Sequence, residues 1–597
     1  MSEYRAPLKE MQFLVHEVVG LEQINSLPAF AEAGSELVDQ ILEEAARFSN
    51  GVLSPLNWVG DRQGAQLDEQ GVRTPPGFRD AYLQFVQSGW NGLTAETEYD
   101  GQGLPRIVGT PVNEMWHSSN MAFTLCPLLT QGAIEAIRLC GSQALRDLFL
   151  PRMISGEWTG TMNLTEPQAG SDLAALRSKA IPEGDHYRLH GQKIFITYGD
   201  HDYTDNIIHL VLARTPDAPE GVKGISLFVV PKVLVNADGS LGAPNDVRCV
   251  SIEHKLGIHG SPNCVMAYGD REGALGYLVG HENRGLEYMF IMMNTARFSV
   301  GLEGVGIAER AYQQALGYAR ERVQGTPIGG SPATRQPILY HPDVRRMLMT
   351  MRARIEGARA LAYWAGALMD LAEQHPDEAV RRRHQAQVDV LIPVVKGWST
   401  EMAVEVASIG IQVHGGMGFV EETGAAQHLR DARITTIYEG TTGIQANDLV
   451  GRKFLRDRGH GLMSLLGEIE CELAGMADLA YPALQAIVGR EQAAVQDLKR
   501  AGQWVLSHGG SHPVQVYAGA WPFLKLAGNV LCGYMMARSA AVAAGKLAAG
   551  QGDLAFYDAK VKTARFFADH VLSECAGLVT AITEGGDSVV ALSEEQF

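Results

Sequence analysis

No two cysteines in this chain stand at C-x-x-C spacing. The seven, Cys126, Cys140, Cys249, Cys264, Cys471, Cys532 and Cys575, are scattered over 597 residues. That spacing excludes a zinc ribbon or a thioredoxin-type dithiol, and an odd, dispersed set of thiols suits a reducing cytoplasm. Also missing is any apolar run of the roughly 18 residues that a membrane span needs; the nearest approach, 530–549, is broken by Arg538 and Lys546. Residues 1–13 are charged and carry a proline, without the basic-then-apolar order of a signal peptide. There is no HExxH, no GxSxG elbow, no Walker loop and no repeat of solenoid period. His414 has no partner at metal-ligand spacing, so no metal is expected. Basic residues are outnumbered, 50 Lys and Arg against 68 Asp and Glu, for a net charge of -18. Such a surface repels nucleic-acid phosphates and anionic lipid, while leaving room for a local basic patch.

What is present is ordinary globular composition, 46% hydrophobic and 20% charged, in a chain long enough for several domains. Apolar residues recur at helical spacing in 35–48, 78–88, 111–139 and 142–153, with a shorter helix at 8–19. From Trp158 to Glu282 the texture changes to short β-branched runs split by Gly, Pro, Asn and Asp; 189–196, 207–213 and 224–230 read as strands. Helical texture returns in 286–322, 341–374, 389–409 and 442–457, which implies a bundle. After Gly459 come alanine-rich helical segments. The expected fold is therefore α+β and multidomain: an N-terminal extension (1–34), an N-terminal helical domain (35–157), a central antiparallel β-domain (158–284), a C-terminal four-helix bundle (285–458) and an appended helical domain (459–597). Strands do not alternate with helices, which disfavours a parallel dinucleotide-binding sheet. Gly301, Gly304 and Gly306 lie inside a helical pattern and read as close helix packing.

Three segments can carry chemistry. The stretch 162–172, Met-Asn-Leu-Thr-Glu-Pro-Gln-Ala-Gly-Ser-Asp, offers backbone N–H groups and hydroxyls to ring oxygens or a pyrophosphate; its residues equally suit a plain turn capped by Asp172. The stretch 193–199 places an aromatic beside β-branched residues, either to cover a flat ring or as a half-buried strand. In 434–442, Glu439 sits among apolar and hydroxylic residues. Buried, it would be a carboxylate raised toward neutrality and a suitable general base; solvated, it would precede a helix capped by Thr441 or Thr442.

Together these segments resemble the acyl-CoA dehydrogenase family. The resemblance covers about 35–455 and rests on Thr-Glu-Pro-x-Ala-Gly-Ser-Asp at 165–172 and Tyr-Glu-Gly-Thr at 438–441, in the family's order. It implies FAD between the β-domain and the bundle, with a neighbouring subunit completing the site. It assigns Met162, Leu164 and Thr165 to the flavin ring, and Gly170 and Ser171 to its phosphates and the acyl-CoA. Phe195, Ile196 and Thr197 would line the other side; the family commonly has tryptophan at Phe195. Arg322, Gln412, Gly415, Gly416 and Thr441 complete the FAD set. Asn294, where many members have aspartate, and Arg297 would meet coenzyme A together with Ser171 and Gly440. After Arg322 the family's Thr-Phe-Gly is replaced by Val323-Gln324-Gly325 and an insertion. Glu439 is the implied base, since the alternative position on the earlier helix is Ala296.

The resemblance further implies α,β-dehydrogenation of acyl-CoA to trans-2-enoyl-CoA in fatty-acid β-oxidation, on medium- to long-chain substrates or on 3-methylthiopropanoyl-CoA. Electrons would pass to an electron-transfer flavoprotein. The appended domain resembles the extension of very-long-chain and some bacterial members and implies a homodimer; the cytoplasm is expected from the scattered cysteines. Other classes stay in view. An oxidase relative would use oxygen as acceptor, a DNA-binding relative would need a basic face after Gly459, and a silent scaffold would not need Glu439.

Overall fold

The computed structural model describes residues 4–329, 335–477, 479 and 481–597; part of the expected insertion after Gly325 lies outside the described residues. The chain forms two compact units. One comprises Met1–Ala46, Pro105–Ser118 and Val300–Phe597, the other Arg47–Leu104 and Ser119–Ser299.

The second unit is organised by a sheet running in the order 247–252, 263–268, 186–197, 274–278, 226–231, 206–213 and 158–163, with 179–183 also paired to 186–197. Pairing is antiparallel, as expected, except that 158–163 runs parallel to 206–213. Asn206–Ala213 and Ser226–Pro231 are buried along their whole length, and as central strands they read as continuous apolar runs. Val211, Phe228, Val230, Ile196, Cys264 and Tyr268 form the core on one face.

In the first unit, long helices span Pro342–Gln374 and Glu378–His414, with Val300 onward of the Gly285–Glu321 helix beside them. The glycines of that last helix act as the periodicity suggests. A Cβ on Gly301 would meet Val395 at 2.6 Å, on Gly304 the Ser399 carbonyl at 2.6 Å, and on Gly306 the Ser118 amide at 2.7 Å. The appended segment supplies Ala520–Ala549, whose Leu524 and Gly528 lie against Gly397 and Trp398 of the Glu378–His414 helix.

The N-terminal extension is part of this unit's core. Tyr4, Met11, Phe13, Leu14, Val15 and Val18 are buried, and Phe13 packs edge-on to Phe556 and Tyr557. Lys560, 1% exposed, bonds Glu10 at 2.5 Å and Glu356 at 2.7 Å. A second buried network joins Arg359 to Glu114 at 2.6 Å and Glu309 at 2.7 Å.

Candidate active site

In the sheet unit, the chain leaves the 158–163 strand and turns back at once, with Glu166 and Ala169 exchanging backbone hydrogen bonds of 3.0 and 2.9 Å. The turn is tied down from inside by Glu166, 3% exposed. It accepts from the amides of Arg177 (2.7 Å) and Ser178 (3.1 Å), the Ser178 hydroxyl (2.6 Å) and Lys193 Nζ (2.8 Å). Lys193, fully buried, also donates to the Leu164 carbonyl at 3.1 Å. Burial pushes the Glu166 carboxyl up, but the Lys193 charge and these hydrogen bonds outweigh it and hold it at about 2. A carboxyl held below its ordinary value contributes stability above that value and loses it as pH falls toward 2. Glu166→Gln should therefore cost about 2 kcal/mol at pH 7. In urea unfolding the gap to the parent should shrink as pH is taken from 7 toward 3; a gap that does not move with pH would refute the account.

The turn presents what it holds. The hydroxyls of Thr165 and Ser171 make no hydrogen bond among the described residues, and Gly170 has open space where a Cβ would stand. Asp172 accepts from the Ala174 amide at 3.0 Å, so the cap suggested by its residue type is present beside the open donors. Alongside runs the 186–197 strand, bonded to the turn by Ile194 N–H to Thr165 O at 2.9 Å. Its pairing with 263–268 slips by one residue between Lys193 and Ile196. That bulge puts Phe195 at φ 60°, a conformation a bulky residue rarely adopts, and turns its ring outward, 57% exposed. Bulges re-aim side chains in this way near functional sites. Ile196 turns into the sheet core, while Thr197 is half-buried and accepts from Asn263 at 3.3 Å. Met162 is half-buried and Leu164 buried. Asn294 is half-buried and Arg297 buried on the Gly285–Glu321 helix.

In the helical unit, Glu439 is half-buried at φ 53°, between Tyr438 and Gly440 at φ 87°. Gln445 donates to the carbonyls of Glu439 (3.0 Å) and Gly440 (3.3 Å), and buried Lys396 donates to the Gly440 carbonyl at 2.7 Å. A Cβ on Gly440 would stand 2.7 Å from the Gln445 amide, so this turn requires glycine both for its φ and for its space. Thr441 caps Thr442–Asn447, accepting from the Ile444 amide at 3.2 Å. The cap expected at Thr441 or Thr442 is thus Thr441, and Glu439 stands half-buried in a turn with left-handed backbone. Behind the turn, Tyr438 donates to Glu303, a fully buried acid. Arg322 is exposed just after the helix and meets Gln324 at 3.3 Å. Gln412, Gly415 and Gly416 are exposed at the end of the Glu378–His414 helix. His414 is buried, with Nδ1 2.7 Å from the Gly410 carbonyl and its ring stacked on Tyr318.

The structure thus gathers 162–171 with 193–197 in one unit, and Tyr438–Gly440 with Thr441 in the other. Sequence reasoning missed the residues that hold these groups in place: Glu166, Lys193, Glu303, Lys396 and Gln445. The available signal was ionisable residues inside otherwise apolar runs, as Lys396 is in Ile-Pro-Val-Val-Lys-Gly-Trp.

A carboxylate fixed in a tight turn of one unit, and an exposed aromatic beside hydroxyls with no hydrogen bond among the described residues in the other, are groups that an enzyme site can use. Comparison with known proteins makes this specific. Family models match along the chain: acyl-CoA dehydrogenase N-terminal domain at 36–157, middle domain at 161–270, C-terminal domain at 283–454, and acetyl-CoA dehydrogenase C-terminal like at 465–593. A 3-methylmercaptopropionyl-CoA dehydrogenase of Ruegeria pomeroyi is 49% identical over 99% of this chain and 100% of its own. The broad-specificity linear acyl-CoA dehydrogenase FadE5 of Mycobacterium tuberculosis is 33% identical over 100% of both. Caenorhabditis elegans ACDH-11, solved in complex with C11-CoA, shares the fold at TM-score 0.76 and 21% identity, over 96% of this chain and 93% of its own. The chain belongs to the acyl-CoA dehydrogenase family. It is an oxidoreductase acting on acyl-CoA, and its cofactor is FAD. The residues fit a flavin: the outward Phe195 ring offers a face, and the unbonded hydroxyls of Thr165 and Ser171 offer donors.

Proposed function

We propose that Glu439 removes the α-proton of a bound acyl-CoA, beginning its conversion to the trans-2-enoyl thioester. The observation that carries this is the Tyr438–Gly440 turn, with Glu439 itself in the left-handed region and the turn held by Gln445 and Lys396. Strain of this kind persists only where the surroundings over-determine it, and here it aims one carboxylate. FAD, when bound, would supply the acceptor for the β-hydrogen as hydride. Met162, Leu164, Thr165, Gly170 and Ser171 would hold it on one side, and Phe195, Ile196 and Thr197 on the other. Arg322, Gln412, Gly415, Gly416 and Thr441 would complete its site. The Glu439 backbone N–H would polarise the thioester carbonyl as charge develops there, with Asn294, Arg297, Ser171 and Gly440 on the substrate.

Two acyl classes have specific support. The full-length relative at 49% identity favours 3-methylthiopropanoyl-CoA, and the broad-specificity relative at 33% favours linear acyl-CoA, for which we propose medium to long chains. An electron-transfer flavoprotein is the proposed acceptor and the cytoplasm, on the scattered cysteines, the proposed compartment. Among the described residues no helix is long and apolar enough to cross a membrane. A homodimer is the proposed assembly, because Ala520–Ala549 already covers the Gly397–Trp398 face of the bundle. For function we divide the chain at 1–34, 35–157, 158–284, 285–458 and 459–597.

Anaerobic titration of the yellow holoenzyme with a panel from butanoyl- to palmitoyl-CoA, plus 3-methylthiopropanoyl-CoA, tests the reading. The expected result is bleaching of the flavin band, fastest with the physiological class. A flavoprotein that no thioester bleaches would overturn it.

A further inference from the structure

Glu303 has no part in the chemistry described so far, yet its position is costly. It is fully buried, in a helical stretch whose neighbours are Gly301, Leu302, Gly304 and Val305. An apolar side chain would pack there without the penalty of a buried carboxyl. One oxygen, Oε2, accepts from the Tyr438 hydroxyl; the other, Oε1, is buried with no hydrogen-bond partner among the described residues. Tyr438 immediately precedes Glu439, whose backbone is left-handed, and the far side of the same turn is held by Gln445 and Lys396. Glu303 is thus a buried anchor for the side chain that immediately precedes Glu439.

We propose that Glu303 is a positioning residue for the reaction at Glu439, its buried carboxyl anchoring Tyr438 and so fixing the turn that presents the base. This rests on the reading of Glu439 as that base. The charged and titratable groups facing Glu303 are Tyr438 and Glu439 from the turn and Lys396 from the Glu378–His414 helix, with Asp431 beyond Tyr438. Burial pushes Glu303 up to about 8; the negative charge of Glu439 adds to this, and the Tyr438 bond and Lys396 oppose it. Of two neighbouring carboxyls the better solvated one ionises first. Near neutral pH, Glu303 keeps its proton and adds no negative charge beside the base. Above its titration, Glu303 sets a second negative charge beside the enolate that forms as the α-proton leaves, and the reaction slows.

The test is the pH profile of anaerobic flavin reduction by saturating acyl-CoA in the FAD-loaded protein. The parent rate should fall about tenfold between pH 7 and 10. Glu303→Gln keeps an acceptor for Tyr438 and cannot ionise. It should match the parent within about threefold at pH 7 and lose the alkaline fall. Glu303→Leu removes the anchor and should slow reduction by about 10- to 100-fold at pH 7, with acyl-CoA Kd and FAD content unchanged. If Glu303→Gln shows the parent's alkaline fall, or Glu303→Leu reduces as fast as the parent, the proposal is overturned; should the Leu variant not fold, the Gln profile decides alone. Glu439→Gln, run alongside, separates the two claims. If it still reduces flavin, the base assignment fails; if it is inert while Glu303→Gln is indistinguishable from the parent at every pH, only the role of Glu303 fails.

Discussion

Glu439→Gln should bind acyl-CoA with near-parental affinity and leave the flavin oxidised. The amide keeps the size of the carboxylate, and the bonds that Gln445 and Lys396 make to the turn run to backbone carbonyls that the substitution does not touch. What it removes is the proton acceptor. Loss of a positioned general base typically lowers a rate by about 10²- to 10⁴-fold. The upper end is expected here, because the alternative position on the helix is Ala296, which cannot accept a proton. Stopped-flow reduction under anaerobic conditions measures the rate, and the spectral perturbation of the bound flavin reports binding separately. A variant that bleaches within tenfold of the parent would place the base elsewhere. One that no longer binds acyl-CoA would mean that Glu439 holds substrate rather than reacting with it.

Lys560→Met should destabilise the protein by about 3–5 kcal/mol, the usual cost of leaving buried charges without their partner. Lys560 is the shared counter-charge of Glu10 and Glu356, which are 8% and 5% exposed. Glu356 retains Arg352 at 2.7 Å, but Glu10 has Lys560 as its close cation. Burial already pushes the Glu10 carboxyl up against the pull of Lys560, and without that pull it goes higher and the acid neutralises. Glu10→Gln in the Lys560→Met background should therefore recover part of the loss. Thermal unfolding of the two variants and the parent measures this, and limited proteolysis should cut the extension first in Lys560→Met. An unchanged unfolding midpoint would show that the network contributes nothing net.

Much of this architecture was legible residue by residue. The helix expected at 35–48 is Ser35–Phe48, because its apolar residues keep to one face, and the one expected at 286–322 is Gly285–Glu321, because the stretch holds almost no breaker except glycine. Strands with continuous β-branched runs were equally plain at Asn206–Ala213. Lys179–Glu183 and Ala274–Leu278 were not, being short, half-exposed and interrupted by proline or glycine. The helix expected over 442–457 is α-helical only to Asn447 and continues with a wider turn through Asp448–Leu455, a change of winding that an apolar stripe does not encode. At the site, Glu439 announced itself by standing alone among apolar and hydroxylic neighbours. Glu303 and Tyr438 are 135 residues apart, and nothing local marks them as partners. Phe195 was legible as an aromatic; its outward aim depends on a slipped register with 263–268 and so belongs to the pairing, not to the strand.

The bond between Lys560 and Glu10 joins residues 550 positions apart. On a ribosome adding roughly 5–20 residues per second, Glu10 and its apolar neighbours wait about half a minute to two minutes before that partner emerges. The sheet unit, Arg47–Leu104 with Ser119–Ser299, is complete in the nascent chain long before then, whereas the helical unit joins segments that lie hundreds of residues apart. Phe13 therefore waits for Phe556 and Tyr557, and Glu10 for Lys560, until nearly the whole of this sequence has been made. Synthesis order makes this extension, rather than the sheet, the natural client of a chaperone that reads short apolar segments.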